Sequence, residues 1–155
     1  MADLLVRLYD LPMLDTEALV AAGITIRRPL APELQVVLDW IGTHFAKGWV
    51  AEASVALHQQ PPTMFIAHRD NELLGFACYD ATAKGFFGPT GVGEAARGGG
   101  VGTGLLMATL SAMREAGYGY AIIGGVGPVA FYRRHLEVME IPGSTPGVYA
   151  GLLKA

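Results

Sequence analysis

"GPTGVGEAARGGGVGTGLL", residues 88–106, contains eight glycines and runs directly into a helical pattern of apolar residues. Glycine loses more conformational entropy on folding than any other residue, so this concentration calls for a physical reason. A helix that starts at a glycine loop presents unpaired backbone N–H groups at the positive end of its dipole. Phosphate groups bind at such termini, and glycine lets them approach the backbone closely. Arg97, at the start of the loop, would add a charge-assisted hydrogen bond. The stretch therefore predicts a phosphate or pyrophosphate site.

Two well-known phosphate loops fit this stretch poorly. A Walker A loop ends in Gly-Lys-Ser/Thr, and no Gly-Lys pair follows the glycines of 98–104. A dinucleotide fingerprint is formally present as Gly91, Gly93 and Ala96. Its helix would have to begin before Arg97 and continue through three glycines, which is the wrong context.

The composition predicts one folded domain without a nucleic-acid or membrane surface. Of the 155 residues, 52% are hydrophobic and 16% charged, which excludes disorder. The net charge of -3 gives no basic footprint for nucleic acid. Cys78 is the single cysteine, which is typical of a reducing compartment. The first ten residues do not resemble a signal peptide, and no apolar run is long enough to span a membrane. We therefore expect a cytoplasmic protein.

Hydrophobic periodicity predicts alternating strands and helices in a mixed α/β, or α+β, order. After an N-terminal addition that holds a strand and a short helix, the order is β-α-α-β-β-β-α-β-α-β-β. Pro89 inside an apparent strand predicts a bulge or an unpaired edge. The predicted strands are 4–9, 24–30, 63–69, 72–80, 84–92 and 119–126, with two more in 137–154; the predicted helices are 15–23, 31–45, 49–59, 101–116 and 128–136.

Val92, Arg97, Gly100 and Gly102 match the pattern V-x-x-x-x-R-x-x-G-x-G, with two leucines just behind. This pattern resembles the acyl-CoA-binding motif of the GNAT superfamily of N-acetyltransferases. In that family the motif joins the fourth strand to the third helix, where it falls here, and the predicted element order matches over about 24–154. The resemblance implies a mostly antiparallel mixed sheet that opens between the fourth and fifth strands (84–92 and 119–126), flanked by about four helices. It also implies one acyltransferase domain over 1–155, with 1–22 outside the core as an edge cover or dimer contact.

The resemblance implies acetyl-CoA as the cofactor. The pyrophosphate would lie on backbone N–H groups of the loop, and the pantetheine arm would pair with the strand near Val92. A main-chain N–H around Val92 would also bind the acyl carbonyl, as a small oxyanion site. The implied cofactor residues are Gly91, Val92, Arg97, Gly98, Gly99, Gly100, Val101, Gly102 and Thr103.

The catalytic expectation is direct acyl transfer to an amine, with Tyr132 in "AFYRRH" as the acid that protonates the leaving thiolate. Three features depart from the family pattern. The asparagine that often precedes this tyrosine is missing, the helix is followed by "HLEV" instead of a Gly-aromatic pair, and 84–92 contains no acid to serve as a base. Water-mediated proton transfer is therefore an open alternative. Arg133 and Arg134 are interpreted as a solvated helix face, with contact to the 3′-phosphate as the alternative.

The acceptor side has weaker signals. Trp49 and Glu52 lie in the second predicted helix, which helps to form the acceptor site in this family, and Asp80 ends the third strand of the core. For each carboxylate, a surface role is the alternative. The four histidines lack ligand spacing, so no metal site is expected. Cys78 shares a strand face with Phe76 and is interpreted as an inert buried thiol.

Three functions remain open from the sequence. The first is an N-acetyltransferase that modifies a small-molecule or peptide amine, as a monomer or homodimer. The second is a non-catalytic acyl-CoA-binding module or sensor, which the missing strand acid and the missing asparagine favour. The third is a nucleotide-binding protein, which stabilisation by ATP or NAD but not by CoA would indicate.

Overall fold

The computed structural model describes residues 2–153. Within them the chain forms seven strands and five α-helices, together with short 3-10 turns. The strands are β1 (Leu4–Arg7), β2 (Ile24–Arg27), β3 (Met64–Arg69), β4 (Glu72–Tyr79), β5 (Phe86–Val92), β6 (Tyr120–Ile123) and β7 (Val138–Glu140). The helices are α1 (Glu17–Ala21), α2 (Leu34–His44), α3 (Lys47–Leu57), α4 (Val101–Glu115) and α5 (Val129–His135).

The strands form one sheet in the order β2-β3-β4-β5-β6-β1-β7. Every neighbouring pair is antiparallel except β5 and β6, which run parallel. The parallel pair is registered only at Phe86 with Ile122 and at Phe87 with Ile123. Because β5 continues to Val92 without its neighbour, the sheet opens there, and this confirms the predicted opening between 84–92 and 119–126.

Two apolar clusters cover the two faces of the sheet, as the alternation of side chains along a strand requires. On β4, Ala77 and Tyr79 pack in the cluster that contains most of α4, whereas the alternating residues Phe76 and Cys78 pack in the cluster of α2 and α3. Helix α4 is long and buries nine of its residues, among them Leu105, Leu106 and Leu110. Its start is thereby fixed against the sheet, beside the end of β5.

The bulge predicted at Pro89 is present. The pairing of β4 with β5 shifts by one residue between Ala77 opposite Thr90 and Tyr79 opposite Phe87. Two residues of β5, Gly88 and Pro89, therefore lie opposite a single residue of β4. A bulge of this kind leaves backbone groups outside the ladder, and here they lie at the opening of the sheet.

The expectation of two strands in 137–154 is wrong. One strand, β7, forms in the described part of this tail, which then continues into a 3-10 turn at Gly147–Tyr149. The neighbouring position in the sheet belongs to β1, which pairs with both β6 and β7. Four residues of the predicted N-terminal addition therefore form an inner strand and do not cover an edge. The division into an addition and a core stays a prediction.

Candidate functional site

The opening between β5 and β6 leads into a cavity of about 870 Å³. Its walls come from the bulged end of β5, the turn after β6, the start of α4, and α5. Residues of the predicted site that line it are Trp49, Glu52, Gly91, Val92, Arg97, Gly102 and Tyr132. A cavity of this size falls in the range that holds small-molecule ligands and cofactors.

The glycine loop forms one end of the cavity, which we call the glycine-loop end. Gly100 precedes α4 with a φ of 83°, and Gly98 has a φ of 87°, so both positions adopt the left-handed conformation that favours glycine. A Cβ added at either residue would meet nothing within 4 Å, which means that the loop surface is open. Among residues 2–153, no side chain caps this helix, so its first-turn N–H groups remain free to bind an anion.

These features fit the pyrophosphate of CoA. A free set of donors at a positive helix end, without covering side chains, is the arrangement that such an anion requires. The other predicted loop residues could bind such an anion only through their backbone. Gly99 lies exposed in the loop, the Val101 side chain is buried in the core, and the Thr103 hydroxyl is hydrogen-bonded to His135 at 3.1 Å.

Two arginines stand at this end. The Arg97 Nε donates to the Val92 carbonyl at 3.3 Å, which holds the side chain across the end of β5. Arg134 also lines the cavity, whereas Arg133 points to Glu140 at 3.9 Å. Arg134 is exposed and also borders the cavity, so its position is compatible with both the solvated face and the alternative of a phosphate contact.

Tyr132 forms part of the cavity wall from α5. Its ring is 5% exposed and meets Phe87 and Phe131 edge to face, with centroids 6.3 and 5.1 Å away. Burial raises the pKa of Tyr132 to about 12. Within residues 2–153 its hydroxyl has no hydrogen-bond partner. The site thus presents a protonated phenol with an unused donor.

A second part of the cavity wall, which we call the Glu52 end, is formed by Trp49, Glu52, Thr82 and Tyr149. The Thr82 hydroxyl donates to the Glu52 carboxylate. Burial raises the pKa of Tyr149, and its hydrogen bond with Thr82 opposes part of that rise. Thr82 and Tyr149 were missed by sequence analysis because neither belongs to a motif. Tyr149 reaches the cavity through the 3-10 turn of the C-terminal tail, which was interpreted as a strand.

Asp80 is not among the residues that line the cavity. Its carboxylate accepts hydrogen bonds from the Tyr118 hydroxyl, at 2.9 Å to each oxygen, and from the Gly85 N–H at 2.7 Å. These bonds close the turn between β4 and β5, where Asp80 itself adopts a φ of 53°. The structure thus gives Asp80 a part in a turn outside the cavity lining, which does not support the prediction that it binds the acceptor.

The cysteine and the potential metal ligands do not form a second reactive site among the described residues. Cys78 is fully buried, and burial raises the pKa of its thiol, so it has no access to the cavity. Over residues 2–153, no three histidine, cysteine, aspartate or glutamate side chains group together as a metal site would require. In the same range, no helix has the length and apolar character needed to cross a membrane.

A model of the acetyltransferase (GNAT) family matches residues 33–136, about two thirds of the chain. The comparison with curated proteins gave no match. Among solved structures, a GCN5-related glucosamine N-acetyltransferase region of a fungal multi-domain GH3 β-N-acetylglucosaminidase superposes with a TM-score of 0.75 at 14% identity, over 90% of this chain and 20% of that one. A GCN5-related N-acetyltransferase from Sphaerobacter thermophilus gives 0.66 at 18% identity, over 90% and 48% of the two chains.

A GNAT family acetyltransferase from Brucella melitensis, solved in complex with acetyl-CoA, gives a TM-score of 0.52 at 18% identity, over 76% of this chain and 88% of that one. The present chain thus spans about a fifth and about half of the first two structures. At these identities the superpositions show the fold. Family membership rests on the family model, which matches about two thirds of the chain.

Proposed function

The chain belongs to the GNAT family of acetyltransferases, which use acetyl-CoA, and we propose that it transfers the acetyl group to an amine by direct attack in a ternary complex. The observation that carries the proposal is the single cavity shared by the glycine-loop end, the Tyr132 hydroxyl and the Glu52 end. Such an arrangement lets a cofactor and an acceptor meet beside a proton donor.

We assign the binding roles of the cavity residues from their positions in the cavity wall. The N–H groups of 98–103 and the Arg97 guanidinium would hold the pyrophosphate, since both supply positive charge at the open helix start. The backbone of β5 around Gly91 and Val92 is free on the side of the opening, so it would pair with the pantetheine arm as a strand pairs with its neighbour. An N–H near Val92 would donate to the acyl oxygen, where negative charge develops.

Bound acetyl-CoA supplies a thioester, whose C–S bond breaks as the acceptor nitrogen forms a C–N bond. The nitrogen attacks in its neutral form. Its surplus proton leaves to water, because β5 carries no carboxylate that could accept it as a base. The Tyr132 hydroxyl donates a hydrogen bond to the departing sulfur. With a pKa of about 12, this phenol is a weaker acid than a thiol, whose ordinary pKa is about 8.5, so water completes the protonation of the sulfur.

A second candidate is an acyl-CoA-binding module without catalysis. The observation that favours it is the absence of acids from Phe86–Val92, combined with the use of Glu52 as an acceptor for Thr82. Such a module would keep the cradle and lack turnover.

One experiment separates the two candidates. Thermal unfolding with and without acetyl-CoA tests the cradle, and we expect a higher melting temperature with the cofactor in both cases. Thiol release from acetyl-CoA is then followed across a panel of amines. The panel includes glucosamine, because the fungal structure with a similar fold is described as a glucosamine N-acetyltransferase region. Amine-dependent thiol release supports the enzyme. Stabilisation without release from any amine supports the module, and no stabilisation contradicts both.

A further inference from the structure

The cavity has an uneven distribution of charge. Its charged lining residues within 2–153 are Glu52 at one end and Arg97 and Arg134 at the other. Glu52 is bonded to Thr82, which precedes β5, whereas Arg97 is bonded to Val92 at the other end of that strand. The Glu52 end therefore carries a negative charge without a nearby basic side chain in the cavity wall.

Glu52 is held in place at this end. Thr82 donates to Oε2, and in the described part of the chain no side chain donates to Oε1. The Tyr149 hydroxyl lies beside Thr82, and burial raises the pKa of this phenol. A carboxylate with one oxygen fixed and the other free is prepared to accept a hydrogen bond from a charged donor.

The surfaces around Glu52 are apolar and partly closed. Trp49 stacks near Phe45, with ring centroids 5.0 Å apart, and Phe87 and Pro89 complete the wall. Tyr149 lies against the backbone of Gly124 and Gly125: an added Cβ would come within 3.4 Å of its hydroxyl at Gly124 and within 3.3 Å of its ring at Gly125. The C-terminal tail thereby borders this end, and because the cofactor would share the cavity of about 870 Å³, a compact acceptor fits the remaining space.

We propose that the acceptor is a small primary amine with an apolar body and no carboxylate beside its nitrogen. At neutral pH such an amine arrives as an ammonium ion, which the free Glu52 oxygen binds. A carboxylate on the adjacent carbon would be brought toward Glu52 without a basic residue to compensate it. Thr82 and Tyr149 are positioning residues that fix the Glu52 carboxylate. This inference rests on the proposed acetyltransferase function.

The test uses three probes with the same body: 2-phenylethylamine, L-phenylalanine and L-phenylalaninamide. Their binding to the protein saturated with CoA is measured by calorimetry, and kcat/KM is measured with acetyl-CoA. We expect 2-phenylethylamine and L-phenylalaninamide to bind at least about 10-fold more tightly than L-phenylalanine, and kcat/KM to follow the same order. Glu52→Gln should reduce this ratio to within about 3-fold, and Thr82→Val should reduce it less. Glu115→Gln, on the exposed end of α4, should leave it unchanged.

The outcomes are distinguishable. Equal binding of L-phenylalanine and L-phenylalaninamide, or an unchanged ratio in Glu52→Gln, overturns the charge selection. Absence of binding by all three probes also overturns it. A peptide that begins with phenylalanine and binds more tightly than 2-phenylethylamine overturns the assignment to small amines. Binding with the expected ratio but without thiol release supports the charge selection and contradicts the acetyltransferase function, because the calorimetric measurement does not depend on turnover.

Discussion

At the residue scale, the hydroxyl of Tyr132 is the group whose removal should separate chemistry from binding. Tyr132→Phe keeps the ring that packs against Phe87 and Phe131 and removes only the donor. A hydrogen bond to a charged sulfur contributes about 1.5–3 kcal/mol, so we expect kcat to fall roughly 10- to 100-fold. The Kd for CoA, measured by calorimetry, should change less than about 2-fold. An unchanged kcat would contradict the role of Tyr132 as the donor.

The pH dependence gives a second measurement on the same residue. Burial holds the Tyr132 phenol protonated until the pH rises through about 12. The donor is therefore present throughout a pH–rate profile from about 6 to 10, and its loss on the alkaline side lies beyond that window. We expect the profiles of the wild type and Tyr132→Phe to differ in height and to share their inflections. An alkaline inflection present only in the wild type would contradict the raised pKa.

Some residues of the site could be predicted from the sequence and others could not. The motif at 92–102 could be recognised because its glycines and arginine serve one ligand through the backbone. Asp80 and Glu52 could not be told apart in the sequence, since each is a carboxylate within the predicted acyltransferase core, 24–154. Only the tertiary partners distinguish them: Tyr118 and Gly85 use both oxygens of Asp80, whereas Thr82 uses one oxygen of Glu52. The contacts with Tyr118 and Thr82 span 38 and 30 residues, and contacts at such separations leave no local pattern.

At the element scale, the start of α4 should control access of the cofactor. An added Cβ at Gly102 would lie 3.5 Å from Val92 and 3.7 Å from Phe131, so Gly102→Ala fits, while Gly102→Leu extends into the cavity. Leucine is a better helix former than glycine, so the substitution should not weaken the helix. We expect the Kd for CoA to rise at least about 10-fold in Gly102→Leu, as measured by calorimetry.

The control for this prediction is Gly48→Leu. Gly48 lies in the first turn of α3, is exposed, and has nothing within 4 Å of an added Cβ. It makes the same change of residue type outside the cavity and should leave CoA binding intact. If Gly102→Leu binds CoA as the wild type does, the cradle at the start of α4 is not the cofactor site.

The elements themselves were predicted well where periodicity was strong. Helix α4 was expected at 101–116 and lies at Val101–Glu115, because its leucines repeat at helical spacing and Gly117 follows it. The tail after residue 137 was predicted wrongly. Its apolar residues are short runs between prolines and glycines, and such runs form a strand only if an edge of the sheet is available. Pairing with β1 decides this, and β1 lies more than 130 residues away along the chain.

At the scale of the whole molecule, β1 joins the two ends of the chain. It pairs with β6 on one side and with β7 on the other, and β7 has no other neighbour in the sheet of the described residues. The family model begins at residue 33, so this strand lies outside the matched region. The β6 side of the opening is therefore supported by residues that the family motif does not include.

This arrangement predicts that the N-terminal strand carries part of the global stability. Leu4 is fully buried in the same cluster as Tyr132, and it pairs with Ile123 of β6 and Glu140 of β7. Leu4→Ala should lower the free energy of unfolding by about 2–5 kcal/mol, since it leaves a cavity in a packed core. Leu5→Ala is the matched control: the same change on the same strand, with a half-buried side chain on the opposite face. Urea unfolding should show a clearly smaller loss for Leu5→Ala, and equal losses would mean that β1 is held by its ladder alone and not by the core beneath the cavity.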